Sequence, residues 1–295
     1  MNTPAAAHHG PLELLSEHAC FGGVQRYYRH ASAAIGLPMR FGIYLPPRAL
    51  QGGVKVPVLF YLAGLTCNEE TFAIKAGAQR LAAELGLALV TPDTSPRGTE
   101  LPGQSDDWDF GVAAGFYLDA TEAPWSAHWR MESYLTRELH ALVGHHLPVD
   151  TSRAGLFGHS MGGHGALTLA LRHRGQYRSL SALAPIANPM HCPWGEKAFT
   201  GYLGPDRATW AEHDACELMC HCASVPYPRG ILIDQGLADP FLAKQLHPEA
   251  FEAACAHVGQ PLTLRRHAGY DHGYYFIQSV VADHLAHHAA GLNAP

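Results

Sequence analysis

The residues with the clearest chemical potential form the pentapeptide GHSMG at 158–162, with Ser160 at its centre. An apolar run at 154–157 precedes it, and a stretch of small residues that predicts a helix over 161–173 follows it. A serine hydroxyl becomes a useful nucleophile when a tight strand-to-helix turn exposes it beside a histidine base. Glycines on both sides tolerate the strained backbone of such a turn. Because G-x-S-x-G alone is common, the prediction that Ser160 is a nucleophile depends on the flanking strand and helix.

A serine nucleophile needs a base, and the base needs an acid that orients it. On this kind of turn the chain order is serine, acid, histidine, with both partners on loops at the carboxyl ends of strands. His272 follows the strand predicted over 262–265 and precedes the last predicted helix, which favours it as the base. The loop after the strand predicted over 230–234 offers Asp239 as the acid. Asp234, at the end of that strand, is an alternative that could instead hold the loop in place.

An attacked carbonyl becomes an oxyanion, which backbone N–H groups stabilise. One predicted donor is the residue after the nucleophile, Met161. The other comes from the loop at 64–67 after an early buried strand, where the N–H of Leu65 is the candidate. Cys67 in that loop is either a thiol near the site or a small buried apolar side chain.

Three cysteines and two histidines lie close together in a later segment, namely Cys216, Cys220, Cys222, His213 and His221. Their spacing lacks the paired pattern of a structural zinc site, and acyl hydrolysis by such a triad needs no metal. We therefore predict neither a metal nor another cofactor.

Predicted strands alternate with predicted helices, which favours parallel β–α–β units. Strands are expected over 24–30, 39–45, 56–62, 87–90, 154–157, 180–183, 230–234 and 262–265. Helices are expected over 69–85, 131–147, 161–173, 248–258 and 274–290. Irregular chain is expected over 95–124 and 188–222. The fold class is thus α/β, a mostly parallel central sheet with helices on both faces and antiparallel N-terminal strands. Residues 12–292 are expected to form one domain, after a flexible tail over 1–11.

The composition of the chain argues against nucleic-acid and membrane partners. The formal net charge is −6 with only 20 Lys and Arg, and no basic run suggests a nucleic-acid partner. No stretch has the uninterrupted apolar length of a membrane helix, and the N-terminal residues do not resemble a signal peptide. The 7 cysteines show no disulfide framework, so a reducing cytoplasm is the expected location.

Several segments together resemble one family. They are CFGG at 20–23, GLTC at 64–67, WDFG at 108–111, AGFY at 114–117, GHSMGGHG at 158–165, CPWG at 192–195 and GYDH at 269–272. With these motifs, residues 18–292 resemble the S-formylglutathione hydrolases of the esterase D family, within the α/β-hydrolase fold. The resemblance implies a thioester hydrolase that splits S-formylglutathione into formate and glutathione, the second step of glutathione-dependent formaldehyde removal.

The resemblance also implies roles for individual residues. It assigns the triad to Ser160, Asp239 and His272 and the oxyanion donors to Leu65 and Met161. It implies a cysteine near the site at Cys67, whose modification would block substrate entry, and a cytosolic homodimer. Four residues of the irregular segments are candidates to line the glutathione site: Arg97, Trp108, Trp125 and Trp194. A general carboxylesterase, an acyl-CoA thioesterase and a catalytically silent binding scaffold are the alternatives on the same fold.

Overall fold

The computed structural model describes residues 10–293, so most of the predicted tail over 1–11 lies outside the described residues. Nine strands form one sheet in the order β1-β2-β3-β5-β4-β6-β7-β8-β9. The strands are β1 (Glu13–Cys20), β2 (Gly23–Ala31), β3 (Pro38–Leu45), β4 (Val56–Leu62), β5 (Ala88–Pro92), β6 (Val149–His159), β7 (Ser179–Leu183), β8 (Ile231–Gly236) and β9 (Leu262–His267).

The pairing of the strands changes once across the sheet, from antiparallel to parallel. β1, β2, β3 and β5 pair antiparallel in that order, whereas β5, β4, β6, β7, β8 and β9 run parallel. Every residue of β4 is buried, as its continuous apolar sequence predicts for a strand covered on both faces. The predicted fold class is confirmed. The parallel part brings the carboxyl ends of β4, β6, β8 and β9 to one edge of the sheet.

Helices cover the two faces of the sheet. The α-helices are α1 (Thr71–Lys75), α2 (Gln79–Leu85), α3 (Met131–Ser133), α4 (His140–His146), α5 (Met161–Arg172), α6 (Pro193–Leu203), α7 (Arg207–Trp210), α8 (Ala215–Cys220), α9 (Pro248–Val258) and α10 (Tyr274–Leu292). A π-helical segment, Tyr134–Leu139, joins α3 to α4. The long helix α10 packs on β6, β7 and β8, and α5 packs on β4, β6 and β7.

Two buried histidines anchor α10 to the sheet. His288 contacts Ser179 and Ser181 of β7, with nitrogen–oxygen distances of 2.6 and 2.8 Å. His284, one turn earlier, lies 2.7 Å from the same Ser181 hydroxyl. Because buried polar groups need hydrogen-bond partners, these contacts fix the position of α10, which begins directly after the loop that carries His272.

Two predictions of secondary structure are wrong. The helix expected over 69–85 is two short helices, α1 and α2, because Gly77 between them has a φ of +67° and breaks the turn. The segment 188–222 is not irregular, since it holds α6, α7 and α8. Asp206 and Asp214 cap the starts of α7 and α8, and Pro193 occupies the first turn of α6. These are local start signals that a search for long periodic helices overlooks.

No helix within residues 10–293 combines the length and the apolar character that crossing a bilayer requires.

Candidate active site

Ser160 occupies a sharp turn between β6 and α5. Its φ is +58° and its ψ −118°, a backbone conformation that non-glycine residues rarely adopt. The turn is held by its own backbone: the Ser160 N–H donates to the carbonyl of Leu183 at 3.0 Å, and the Ser160 carbonyl accepts from His164 at 2.9 Å. A strained residue fixed by its surroundings at the carboxyl edge of a sheet has the backbone geometry of a nucleophile on a strand-to-helix turn, although the Ser160 side chain itself is buried.

The glycines of this turn are required by space. A Cβ on Gly162 would overlap the backbone carbonyl of Leu62 in β4, and one on Gly158 would overlap the carbonyl of Gly162 itself. On Gly163, a Cβ would lie 2.8 Å from the Cβ of Pro185. The start of α5 therefore approaches β4 more closely than a side chain would allow. This close contact fixes the turn that holds Ser160.

His272 and Asp239 are brought together by two neighbouring loops. The loop after β8 carries Asp239 and the loop after β9 carries His272, whose Nδ1 lies 2.5 Å from Oδ2 of Asp239. The Asp239 carboxylate is fully buried and also accepts from the N–H of Phe241 at 2.8 Å and from Gln235 at 3.2 Å. The loops are joined by backbone, since the N–H of Ala238 donates to the carbonyl of Tyr270 at 2.9 Å. This arrangement orients the imidazole.

Ser160 and His272 line one cavity with a volume of about 400 Å³. The described residues show no hydrogen bond between the Ser160 hydroxyl and the His272 ring. In hydrolases without substrate, catalytic hydrogen bonds are frequently long or misaligned and tighten when substrate binds. The structure thus brings the three predicted triad residues to one site.

Asp234, the alternative acid, serves a different cluster. Its fully buried carboxylate accepts two hydrogen bonds from Arg265, at 2.6 and 2.5 Å, and faces the Nε2 atoms of His267 at 2.8 Å and His284 at 2.9 Å. Burial by itself would raise the pKa of Asp234, but the hydrogen bonds from His284, Arg265 and His267 together hold it below its ordinary value. Asp234 therefore joins β8 to β9 and α10 and is not the partner of His272.

The N–H groups of both predicted oxyanion donors, Leu65 and Met161, are unused by the hydrogen bonds of residues 10–293. The neighbouring amides of the loop are occupied, since Thr66 donates to Ala113 at 3.1 Å and Cys67 donates to Gly64 at 3.3 Å. Leu65 lines the same cavity as Ser160. Two free N–H groups beside a nucleophile can stabilise an oxyanion.

Aromatic side chains form one wall of the cavity. The ring of Phe241 meets the ring of His272 edge-on at 5.0 Å between centroids, Trp194 lies 4.7 Å from Phe241, and Trp108 lies 5.7 Å from Trp194. Trp108 and Trp194 were predicted near the substrate. Phe241 was not predicted, although it stands two residues after Asp239 in the loop that supplies the acid.

Two other predicted lining residues lie elsewhere. Trp125 is buried and packs on Phe110 and Trp129, with centroids 4.8 Å apart in each pair. Arg97 pairs with Asp93 at 2.7 Å and lines a separate depression. Neither side chain lines the cavity that holds Ser160, because the long segments that carry them also fold back into the core and over other surfaces.

Cys67 lines the cavity, as expected for a thiol near the site. Burial raises the pKa of its thiol, although Tyr274, Thr71 and Lys75 act in the opposite direction. His159 is buried but lines the same cavity, with its ring 4.5 Å from the ring of His272. Burial holds the pKa of His159 well below its ordinary value, and the proximity of His272 acts in the same direction. His159 is therefore a neutral surface of the cavity.

The cysteine and histidine cluster considered above has other contacts. The thiol of Cys216 contacts the carbonyl of Ala187 at 3.3 Å, and that of Cys222 lies 2.9 Å from Arg174. Within residues 10–293, no group of three or more His, Cys, Asp or Glu side chains is arranged to hold a metal ion.

The chain is similar to known proteins over nearly its whole length. The profile of a family described as Esterase matches residues 32–287. The chain is 51% identical to S-formylglutathione hydrolase of Mus musculus over 285 residues, which cover 96% of this chain and 99% of the mouse protein. It is 53% identical to the protein of that name from Paracoccus denitrificans over 280 residues, 95% of this chain and 98% of the relative. A solved S-formylglutathione hydrolase from Agrobacterium tumefaciens superposes with a TM-score of 0.91 at 48% identity, covering 95% and 99% of the two chains.

Proposed function

Because this chain belongs to the esterase family that contains the S-formylglutathione hydrolases, we propose that it hydrolyses S-formylglutathione to formate and glutathione. The proposal depends mainly on sequence identity: the chain is identical at about half of the aligned positions, over nearly its whole length, to S-formylglutathione hydrolases from a mammal and a bacterium. The chain is a hydrolase, and the arrangement of Ser160, His272 and Asp239 supports acyl transfer through a serine ester.

The first half-reaction forms a formyl-enzyme. The Ser160 hydroxyl attacks the formyl carbon while His272 takes its proton on Nε2, and Asp239 holds Nδ1 so that Nε2 is the basic nitrogen. The carbonyl oxygen becomes an oxyanion stabilised by the free N–H groups of Leu65 and Met161. The carbon–sulfur bond then breaks and His272 returns the proton to the departing sulfur. A thiol is far more acidic than an alcohol, which makes glutathione a good leaving group.

The second half-reaction releases formate. A water molecule gives a proton to His272 and attacks the formyl carbon of the Ser160 ester, and the same two N–H groups stabilise the second oxyanion. The ester bond breaks, His272 returns its proton to Ser160, and formic acid leaves and ionises to formate in solution. Hydrolysis needs no other reactant.

The test is a comparison of kcat/KM for S-formylglutathione with that for p-nitrophenyl acetate. We expect the thioester to be preferred by at least about tenfold, which corresponds to about 1.4 kcal/mol of transition-state stabilisation. A preference of that size for the aryl ester would instead identify a general carboxylesterase. A preference for acyl-CoA would identify an acyl-CoA thioesterase.

A second test addresses the nucleophile and the silent-scaffold alternative. A fluorophosphonate should add one adduct to the wild-type chain, detectable in the intact mass, and should add none to Ser160→Ala. Absence of labelling in the wild type would contradict hydrolysis by an activated serine. Labelling that survives in Ser160→Ala would place the nucleophile elsewhere.

The assembly and location of the enzyme are further parts of the proposal. We expect residues 12–292 to fold as one domain, which the single sheet and continuous core support, and we expect a cytoplasmic homodimer on the basis of family resemblance. Sedimentation velocity at assay concentrations tests the dimer, and a single species of monomer mass would contradict it. Fractionation of cells that produce the chain tests the location.

A further inference from the structure

A lysine stands at the mouth of the cavity that holds Ser160. Lys75 is the last residue of α1, is exposed, and lines this cavity with Cys67, Thr71 and Tyr274. Its Nζ lies 5.6 Å from the centroid of the Tyr274 ring. This ring contact holds the flexible lysine stem against the cavity wall.

The charge of Lys75 has no counterion within residues 10–293. Among the described residues no carboxylate lies within ion-pair distance of its Nζ, and the lining of the cavity includes no Asp or Glu and no cation of the Lys or Arg type besides Lys75. By contrast Arg97, which donates to the carbonyl of Cys67 at 3.0 Å, is neutralised by Asp93. The other titratable groups on the lining are the rings of His159 and His272, the thiol of Cys67 and the hydroxyl of Tyr274. Burial holds the His159 ring neutral and raises the pKa of Cys67 and of Tyr274. An unpaired ammonium in this position favours an anionic ligand.

The substrate of the proposed function supplies such an anion. Glutathione carries two carboxylates and one ammonium, and with the formyl carbon at Ser160 the peptide must leave through the mouth of the cavity. We propose that Lys75 binds a carboxylate of the glutathione portion of the substrate, an inference that rests on the proposed function. The formyl group is too small to distinguish substrates, so the charge pair at Lys75 selects for the glutathione portion over neutral esters.

The direct experiment compares Lys75→Met with the wild type on S-formylglutathione and on p-nitrophenyl acetate. Methionine keeps an apolar stem against Tyr274 and removes the charge. We expect the ratio of the two kcat/KM values to fall by about three- to tenfold, mainly through KM for the thioester, as for the loss of a partly exposed charge-assisted contact. High salt should reduce the ratio for the wild type and leave that of the variant nearly constant. Lys75→Arg should restore most of the ratio.

Two controls sharpen the result. Lys55→Met removes a surface lysine whose Nζ donates to the carbonyl of Gly144 at 2.8 Å, outside the cavity, and should leave both activities unchanged. Thioester substrates with either the glycine or the glutamyl carboxylate converted to an amide identify the group that is bound. One of the two amides should be a poorer substrate than S-formylglutathione for the wild type and an equal one for Lys75→Met.

A binding assay separates this inference from the proposed function. S-methylglutathione should inhibit hydrolysis of p-nitrophenyl acetate competitively, with an inhibition constant about three- to tenfold higher in Lys75→Met. If the wild type does not hydrolyse S-formylglutathione, the proposed function is wrong, whereas the inhibition constants still decide the role of Lys75. Equal inhibition constants in the two proteins, no inhibition of the wild type, or an unchanged kcat/KM ratio would each overturn the inference.

Discussion

Replacing Asp239 by asparagine tests the assignment of the acid with almost no change in shape. Oδ1 of Asp239 accepts the N–H of Phe241 at 2.8 Å, a bond that the asparagine oxygen keeps. The new amide nitrogen then takes the place of Oδ2, which lies 2.5 Å from Nδ1 of His272 and 3.2 Å from Nε2 of Gln235. Two donors, the amide of residue 239 and that of Gln235, would face each other there.

The consequence for His272 follows from its hydrogen bond. Facing an amide N–H, Nδ1 becomes the acceptor and the proton moves to Nε2, so the nitrogen turned toward the nucleophile can no longer act as a base. A change of this kind in a serine–histidine–aspartate triad lowers kcat by about 10⁴-fold. At about 1.4 kcal/mol per factor of ten, this is roughly 5 to 6 kcal/mol of lost transition-state stabilisation. The cost in folding stability is the lost hydrogen bond from Gln235 to the buried carboxylate, of about 1.5 to 3 kcal/mol.

The assay is kcat for S-formylglutathione and p-nitrophenyl acetate, together with thermal unfolding of the same preparations. Asp234→Asn is the matched control, because it makes the same chemical change five residues earlier, where the carboxylate faces Arg265 and two histidines. We expect this control to lose stability, since the partly exposed Arg265 keeps only Asp283, at 2.6 Å, as a charged partner. It should keep kcat within about tenfold when folded. A folded Asp239→Asn protein with near-wild-type kcat, or a loss of about 10⁴ in Asp234→Asn instead, would refute the assignment.

Three further predictions concern the fold and the cavity. Gly162→Ala should fail to fold or lose at least about 4 kcal/mol of unfolding free energy, because the new Cβ overlaps backbone atoms. Gly52→Ala, a control with open space around residue 52, should stay within about 0.5 kcal/mol of the wild type in thermal unfolding. Burial lowers the pKa of His164 to about 3 and that of His213 to about 4. Each ring is therefore neutral when folded but takes a proton when unfolded below about pH 6.5. The contribution of each ring to the free energy of unfolding is complete above that pH and falls by about 1.4 kcal/mol per pH unit on acidification toward the folded pKa. Denaturant midpoints should therefore fall from pH 7 to pH 4.5. A midpoint that does not change with pH would contradict this. Because burial raises the pKa of Cys67, iodoacetamide should inactivate the enzyme slowly at neutral pH and faster at alkaline pH. Cys67→Ala should abolish this inactivation. Inactivation of that variant at the wild-type rate would show that the reactive thiol is another cysteine.

The sequence alone determined the elements with strong local signals. The strand Val56–Leu62 and the helix Pro248–Val258 were predicted with the ends that the structure shows. A continuous apolar run and a proline start with a glycine stop depend on a few neighbouring residues, so they can be recognised without tertiary structure. The turn at Ser160 belongs to the same class, because its glycines and flanking elements are contiguous in the chain.

Tertiary structure decided which distant side chains meet. Asp234 and Asp239 follow the same strand and have the same chemistry, and only the surroundings differ: Arg265, His267 and His284 surround the first, and His272 faces the second. Likewise, the ammonium of Lys75 reaches the cavity and the ring of Trp125 reaches the core because of how separate segments pack. Spacing along the chain sets which face of an element a residue occupies, whereas burial, charge partners and contact depend on residues tens to hundreds of positions away.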